Sequence, residues 1–397
     1  MRQIALITDQ FPPEFGAGKN RIIGLSSNLA AMGYNIHILT IPPLRYDSDS
    51  GEKEVINNDR IHIYRKGNLN ASRQEAIYRP LRIIKRYLSR YILPDKNTDW
   101  FLSAYKPYEQ YIRHHGIRTV ITSSPSFSAV LLGLKLRRRL GAIKWIMDLR
   151  DPWYDNEIIG FSRFNSAMIR NLEQTAFAFA DDITVVTGNM KKLYGTKYPG
   201  MRIHLIRNGM STLNSNTKIK DNDNETVNIT YTGILYPQRQ KLLLKFIRAI
   251  ADFNEDSKRD IDFHFAGEMN KNTDRQIREI LQNHYINHGM LSRQGAVALS
   301  GMSDYLLLLC GNRYTIPSKL YDYMSMGKPV IALMSIDNSE IHNIIKKYNS
   351  GICLQNDADF NLQGIMKSLQ GSEPDLNYLK QFRYSKITEK LTEVLDG

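Results

Sequence analysis

With 397 residues, 42% of them apolar and 23% charged, the chain has the make-up of a folded protein of about two domains with sizeable cores. Disorder, collagen and coiled coil are excluded, and two cysteines in so long a chain cannot form a disulfide framework. The 53 Lys and Arg outnumber the 40 Asp and Glu, and the resulting charge of +13 asks for an anionic partner such as nucleic acid, an anionic lipid surface or a phosphorylated substrate.

The opening MRQIALITDQF has a short apolar core and no small-residue cleavage site, and reads as a first buried strand rather than a signal peptide. Strand-like runs follow at Asn35–Thr40, Ile61–Arg65, Thr119–Ser123, Lys144–Leu149, Asp182–Thr187 and Ile203–Asn208. Helical patterns lie between several of them, at Arg21–Met32, Phe127–Leu140 and Ser162–Ala180. Strands alternating with helices predict βαβ units and a mostly parallel sheet covered on both faces.

Ser211–Thr226 is polar and has no apolar period, which marks a linker. Beyond it the alternation resumes, with strands predicted at Asn228–Gly233, Asp262–Gly267, Ile286–Gly289, Tyr305–Cys310, Pro329–Leu333 and Gly351–Leu354. Helices are predicted at Lys241–Phe253, Asn272–His284, Ser318–Met326, Ser339–Tyr348 and Tyr384–Asp396. Two Rossmann-like domains in tandem are therefore expected: residues 1–210, a linker at 211–226, a second domain at 227–378, and a final helix within 379–397 that packs on either. Cys310 and Cys353 lie in apolar runs and read as buried thiols of a reducing cytoplasm. No run approaches the roughly 18 to 20 apolar residues of a membrane span.

Three segments could carry chemistry. Directly after the first strand, Gly16 and Gly18 sit in PPEFGAGKNR, where a sharp turn into a helix N-terminus favours anions. The loop is neither a dinucleotide fingerprint nor a Walker A loop, and a plain tight turn explains it as well. WIMDLRDPW ends a strand with Asp148, Arg150 and Asp151, which serve either as acid/base machinery or as an ion-pair brace. In YTIPSKLYDYMSMGKPVIAL, Pro317 and Ser318 open a helix, Lys319 falls in its first turn and Asp322 one turn further on. A lysine at a helix start suits a diphosphate, and the carboxylate suits the vicinal hydroxyls of a sugar. The plain alternative is an amphipathic helix with Asp322 in water.

Taken in order, FPPEFGAGKNR, the stretch ending in WIMDLRDPW, LIRNGM, YTGILYPQR and IPSKLYDYMSMGKPVIA resemble glycosyltransferase family 4, of the bacterial surface-polysaccharide type. The resemblance spans nearly the whole chain. It implies an α/β GT-B fold, two Rossmann-like domains facing each other across a cleft, and a retaining transferase that moves a sugar from a nucleotide-sugar, UDP-linked in most such members, to a hydroxyl of a lipid-linked or glycan acceptor. It implies no metal cofactor. The donor diphosphate would meet Arg239, Lys319, Ser318, Gly16 and Gly18, the ribose Asp322, and the donor sugar Tyr314, Thr315 and Ile316. Asp151 and Arg150 would be catalytic. The family's first acidic position falls on Tyr314 and an Arg position on Ile234, two departures that favour a non-catalytic sugar-nucleotide-binding protein as an alternative, while a nucleotide-sugar 2-epimerase, which shares the two-domain fold, is the alternative among enzymes.

Residues 79–92 (RPLRIIKRYLSRYI) place Arg82, Lys85, Arg86 and Arg90 on one helical face and apolar residues on the other. This pattern fits a helix lying on an anionic membrane, as the cytoplasmic, peripheral location of such transferases implies. Its plain reading is a core helix with a solvated basic back. Scattered charge and the absence of a nucleic-acid motif argue against nucleic acid.

Overall fold

The computed structural model describes residues 2–12, 18–42, 58–67, 95, 97–157, 163–210, 226–356 and 360–397. Gly16, the basic stretch at 79–92 and linker residues 211–225 lie outside them, while Thr226 already belongs to a strand. The chain divides into two compact units, Met1–Asn208 with Tyr384–Gly397, and Gly209–Arg383.

The first unit is a seven-stranded parallel sheet flanked by helices. Its elements run β1 (Gln3–Ile7), α1 (Gly18–Ala31), β2 (Asn35–Thr40), β3 (Ile61–Arg65), α2 (Thr98–His114), β4 (Thr119–Ser123), α3 (Phe127–Leu140), β5 (Lys144–Leu149), α4 (Arg163–Phe179), β6 (Asp182–Val185), α5 (Gly188–Lys197) and β7 (Ile203–Leu205). The strand order is β3-β2-β1-β4-β5-β6-β7. Because both faces are covered, the central strands are buried and mostly apolar: Ile4 to Ile7, Ile36, Ile38 and Leu39 are all buried. The last helix, α13 (Tyr384–Asp396), buries Tyr384, Ile387, Leu391 and Val394 against Ile22, Leu25 and Leu29 of α1.

One edge of this unit gathers histidines. His37 of β2 is 2% exposed, bonded through Nδ1 to the Tyr111 hydroxyl (3.0 Å) and through Nε2 to Gln3 Oε1 (2.6 Å). The rings of His62 and His115 lie 4.9 and 5.1 Å from it. Burial, reinforced by those two neighbours, lowers its pKa to about 4 from an ordinary 6.5. A depressed histidine is neutral in the fold and takes its proton first on unfolding, so stability is present above pH 6.5 and declines as pH falls toward 4. Urea midpoints at pH 7 and pH 5 are expected to drop for the wild type and to drop less for His37→Gln. Equal drops for both would remove His37 as the cause.

The second unit repeats the plan with six strands: β8 (Thr226–Thr232), α6 (Pro237–Asp256), β9 (Asp260–Ala266), α7 (Lys271–Leu281), β10 (Tyr285–Asn287), α8 (Arg293–Met302), β11 (Tyr305–Cys310), α9 (Ser318–Ser325), β12 (Val330–Met334), α10 (Ser339–Tyr348), β13 (Gly351–Gln355), α11 (Leu362–Leu369) and α12 (Leu376–Leu379). All pairings are parallel, in the order β10-β9-β8-β11-β12-β13. In both units the order reverses beside the first strand of the unit. The carboxyl ends of β1 and β4, and of β8 and β11, are therefore the places where ligands enter such sheets.

Candidate functional site

In the second unit a cavity of about 410 Å³ opens at the carboxyl ends of β8 and β9, where Gly233 and Gly267 follow the strands. Helices α8 and α9 supply its charged wall: Arg293 from the first turn of α8, and Lys319 and Asp322 from α9. Ile234, Met290, Leu291 and Val297 form an apolar rim, each at least 36% exposed. Helix α9 starts without a side-chain cap, with Pro317 at the cap position and Ser318 as its first residue, and Gly327 ends it at φ +68°. Lys319 and Asp322, three apart, thus share one face of the helix, and that face is the cavity wall.

Lys319 reaches back over the end of β8 and donates a hydrogen bond to the Thr232 carbonyl. A Cβ on Gly233 (φ +119°) would strike its ammonium, so glycine is needed there for both backbone and space. Burial lowers the Lys319 pKa to about 8, helped by Arg239 and opposed by Asp322. Burial also raises the Asp322 carboxyl, against the pull of Arg293 and then Lys319. Tyr323 fixes this arrangement, its hydroxyl lying 3.2 Å from the Thr232 amide nitrogen and 3.1 Å from Thr232 Oγ1.

Arg239 is not part of the cavity wall. Its guanidinium lies over the Tyr236 ring (5.7 Å to the centroid) and beside Gly311, the residue after β11. The loop that carries Tyr314, Thr315 and Ile316 is tied by two asparagines. Asn312 Oδ1 accepts from the amides of Tyr314 (2.7 Å) and Thr315 (3.1 Å), and Asn338 Nδ2 donates to the carbonyls of Asn312 and Thr315. The Ile316 side chain turns inward and packs with Leu320 and Met324, so the sugar-side expectation for it is left to its backbone alone.

In the first unit the carboxyl end of β5 splits the expected acid–Arg–acid triplet. Asp148 pairs with Arg21 of α1 (2.7 Å), both buried, which makes it a brace. Arg150 donates instead to the Ser124 carbonyl and to Gln10 Oε1 (2.9 Å). Gly18 is in contact with both Gln10 and Arg150, leaving no room for a side chain. Asp151 follows, its carboxyl raised by burial against the opposing charge of Arg150. Behind it, Glu173 accepts from the Tyr154 amide (2.9 Å), Lys197 (2.6 Å) and the Tyr198 hydroxyl (2.7 Å), holding the segment after Asp151 in place. The sequence marked Gly18, Arg150 and Asp151 but gave no sign of Gln10, Glu173 or Arg293.

Among the described residues no group of three or more His, Cys, Asp or Glu is placed to hold a metal ion, and no helix is long and apolar enough to cross a membrane.

The family described as "Glycosyl transferases group 1" matches residues 226–369, the sheet and helices that build the cavity. The second unit matches a group 1 glycosyl transferase domain, and the chain has the two-domain α/β fold of GT-B glycosyltransferases. Solved structures overlay on this chain at low identity, which bears on the fold alone. The lipopolysaccharide outer core galactosyltransferase WaaB is 14% identical with a TM-score of 0.64, covering 99% of both chains. TarM is 11% identical at 0.65, covering 100% of this chain and 99% of its own. MnaA of S. aureus, solved with UDP, is 13% identical at 0.56, covering 100% and 96%. No curated protein matches the sequence.

Proposed function

We propose that this glycosyltransferase moves a sugar, with retention, from a UDP-linked donor to a hydroxyl of a lipid-linked or glycan acceptor in surface polysaccharide or lipopolysaccharide synthesis. The observation that carries the donor half is the cavity wall, where Lys319 and Arg293 flank the carboxyl of Asp322. Two cations suit a diphosphate whose charge grows as it leaves, and the carboxylate suits ribose hydroxyls. The apolar rim suits the flat face of a base. Arg293 stands in for the charge absent at Ile234. Ser318, at the first position of α9, offers a helix-start amide to the same diphosphate. Arg150 and Asp151 act at the acceptor side, and Gly18 keeps the approach to them open. No metal takes part in this reading.

The acceptor half is supported by the sequence pattern of residues 79–92 and by what WaaB's printed name says of that protein. Arg82, Lys85, Arg86 and Arg90 would hold the enzyme to the inner, anionic membrane surface, where a lipid-linked acceptor is found.

Thermal shifts with UDP, GDP, ADP and CMP test the donor. A nucleotide at a hundredfold its Kd adds about 2.7 kcal/mol, a few degrees for a chain of this size. UDP is expected to shift the transition and CMP to leave it unmoved. No shift with any of the four would empty the cavity of its assigned ligand and favour a protein that has lost donor binding.

A further inference from the structure

Lys319 differs from the half-buried Lys144 and Lys197 in what surrounds its nitrogen. Among the described residues no carboxylate lies within ion-pair distance of it. Its contacts are the Thr232 carbonyl and, at 5.5 Å, the ring of Tyr231. Lys197 gives the contrast. It is also half-buried, but its ammonium meets Asp155 and Glu173 at 2.6 Å each, and these raise its pKa although burial alone would lower it. Lys319 lines an open cavity large enough for a small ligand, with the Arg293 guanidinium on the same wall to take a phosphate.

We propose that Lys319 is a carbonyl-reactive lysine, and that the cavity beside it takes a small aldehyde bearing a phosphate. The amine lone pair adds to the aldehyde carbon, the carbonyl oxygen departs as water with both amine hydrogens, and a C=N bond remains. No oxidant or further reactant is needed, and water reverses the step. The donor cavity of this enzyme is thereby closed, reversibly, by phosphorylated aldehydes. The phosphate end of the proposal rests on the donor reading of the cavity, whereas the amine chemistry does not.

Pyridoxal 5′-phosphate, fixed by borohydride reduction of the imine to a secondary amine, is the probe, and peptide mass mapping is the readout. With a pKa of about 8 against an ordinary 10.5, Lys319 near neutral pH carries a neutral fraction roughly three hundredfold above that of an exposed lysine. Its lower basicity takes back part of this, so labelling at Lys319 is expected about tenfold faster than the mean of the other lysines. It should also be slower with pyridoxal, which lacks the phosphate, and absent from Lys319→Arg. Labelling spread evenly over exposed lysines, or equal rates with and without the phosphate, would overturn the proposal. Protection by UDP separates the two readings. Selective labelling that UDP leaves untouched keeps the reactive lysine and removes the donor from this cavity. A UDP thermal shift without selective labelling does the reverse.

Discussion

An Arg21→Met variant is expected to lose about 3–5 kcal/mol of stability, a large part of what a domain possesses. Arg21 and Asp148 are among the most buried ionic groups in the chain, at 2% and 3% side-chain exposure. The guanidinium donates to both oxygens of Asp148 (3.0 and 2.7 Å), to the Arg207 carbonyl (2.8 Å) and to Asn208 Oδ1 (3.3 Å). Asp148 also accepts from Ser123 (2.7 Å) and Thr184 (2.6 Å), so every oxygen is used. Burial alone would raise its pKa, but the Arg21 charge and these hydrogen bonds outweigh that and hold the carboxyl below its usual range. Removing Arg21 leaves a desolvated carboxylate that must stay uncompensated or take a proton. The sign for pH follows from this. In the wild type the pair's contribution is present above the unfolded Asp value and lost as pH falls through the folded one, so the gap between wild type and variant narrows in acid. Chemical denaturation of Arg21→Met, Asp148→Asn and the double variant measures it. Recovery of much of the loss in the double variant is expected. If the double variant merely adds the two single losses, the pair is not coupled and packing carries the stability.

The same pair shows where sequence reading stops. Asp148 lies at the end of a β-rich run and was legible as a site candidate, but its partner is 127 positions away on another element, and no local period connects them. Strand identity was legible because parallel strands covered on both faces become uninterrupted apolar runs. Thr119–Ser123, Tyr305–Cys310 and the helix Ser339–Tyr348 fall at the residues their patterns mark. Ends set by side chains were less so. The run from Asp182 stops at Val185 because Thr187 caps α5, its hydroxyl accepting from the Met190 amide. The run from Ile203 stops at Leu205, an edge strand of three residues, and Arg207 and Asn208 leave it to meet Arg21. Helix α2 went unread, with Pro107 interrupting its pattern midway. At the cavity of the second unit, Lys319 and Asp322 were visible as neighbours on one helical face. Arg293, at the start of an otherwise ordinary capped helix, becomes a candidate only when the fold brings α8 beside α9's residues at the cavity wall.

Asp151→Asn is expected to lower kcat by about 10²–10⁴, the range for losing a positioned acid or base, while the donor KM stays close to wild type. The second expectation follows from placement, since Asp151 belongs to the first unit and the cavity proposed for the donor is lined by residues of the second. Asparagine keeps the shape of the side chain, and Arg150 retains the Ser124 carbonyl and Gln10, so the fold should persist, with a lower melting temperature because one of the carboxylates facing the buried guanidinium is gone. The pH profile adds a check that a packing defect would not reproduce. Burial raises the Asp151 carboxyl despite Arg150. A group that works ionised does so above its pKa, so wild-type activity should fall as pH drops into that raised range. The residual activity of the Asn variant should be flat there. Turnover at the wild-type rate would remove Asp151 from the chemistry. A slow variant that keeps the wild-type acid limb would assign that limb to another group and leave Asp151 with a structural part alone.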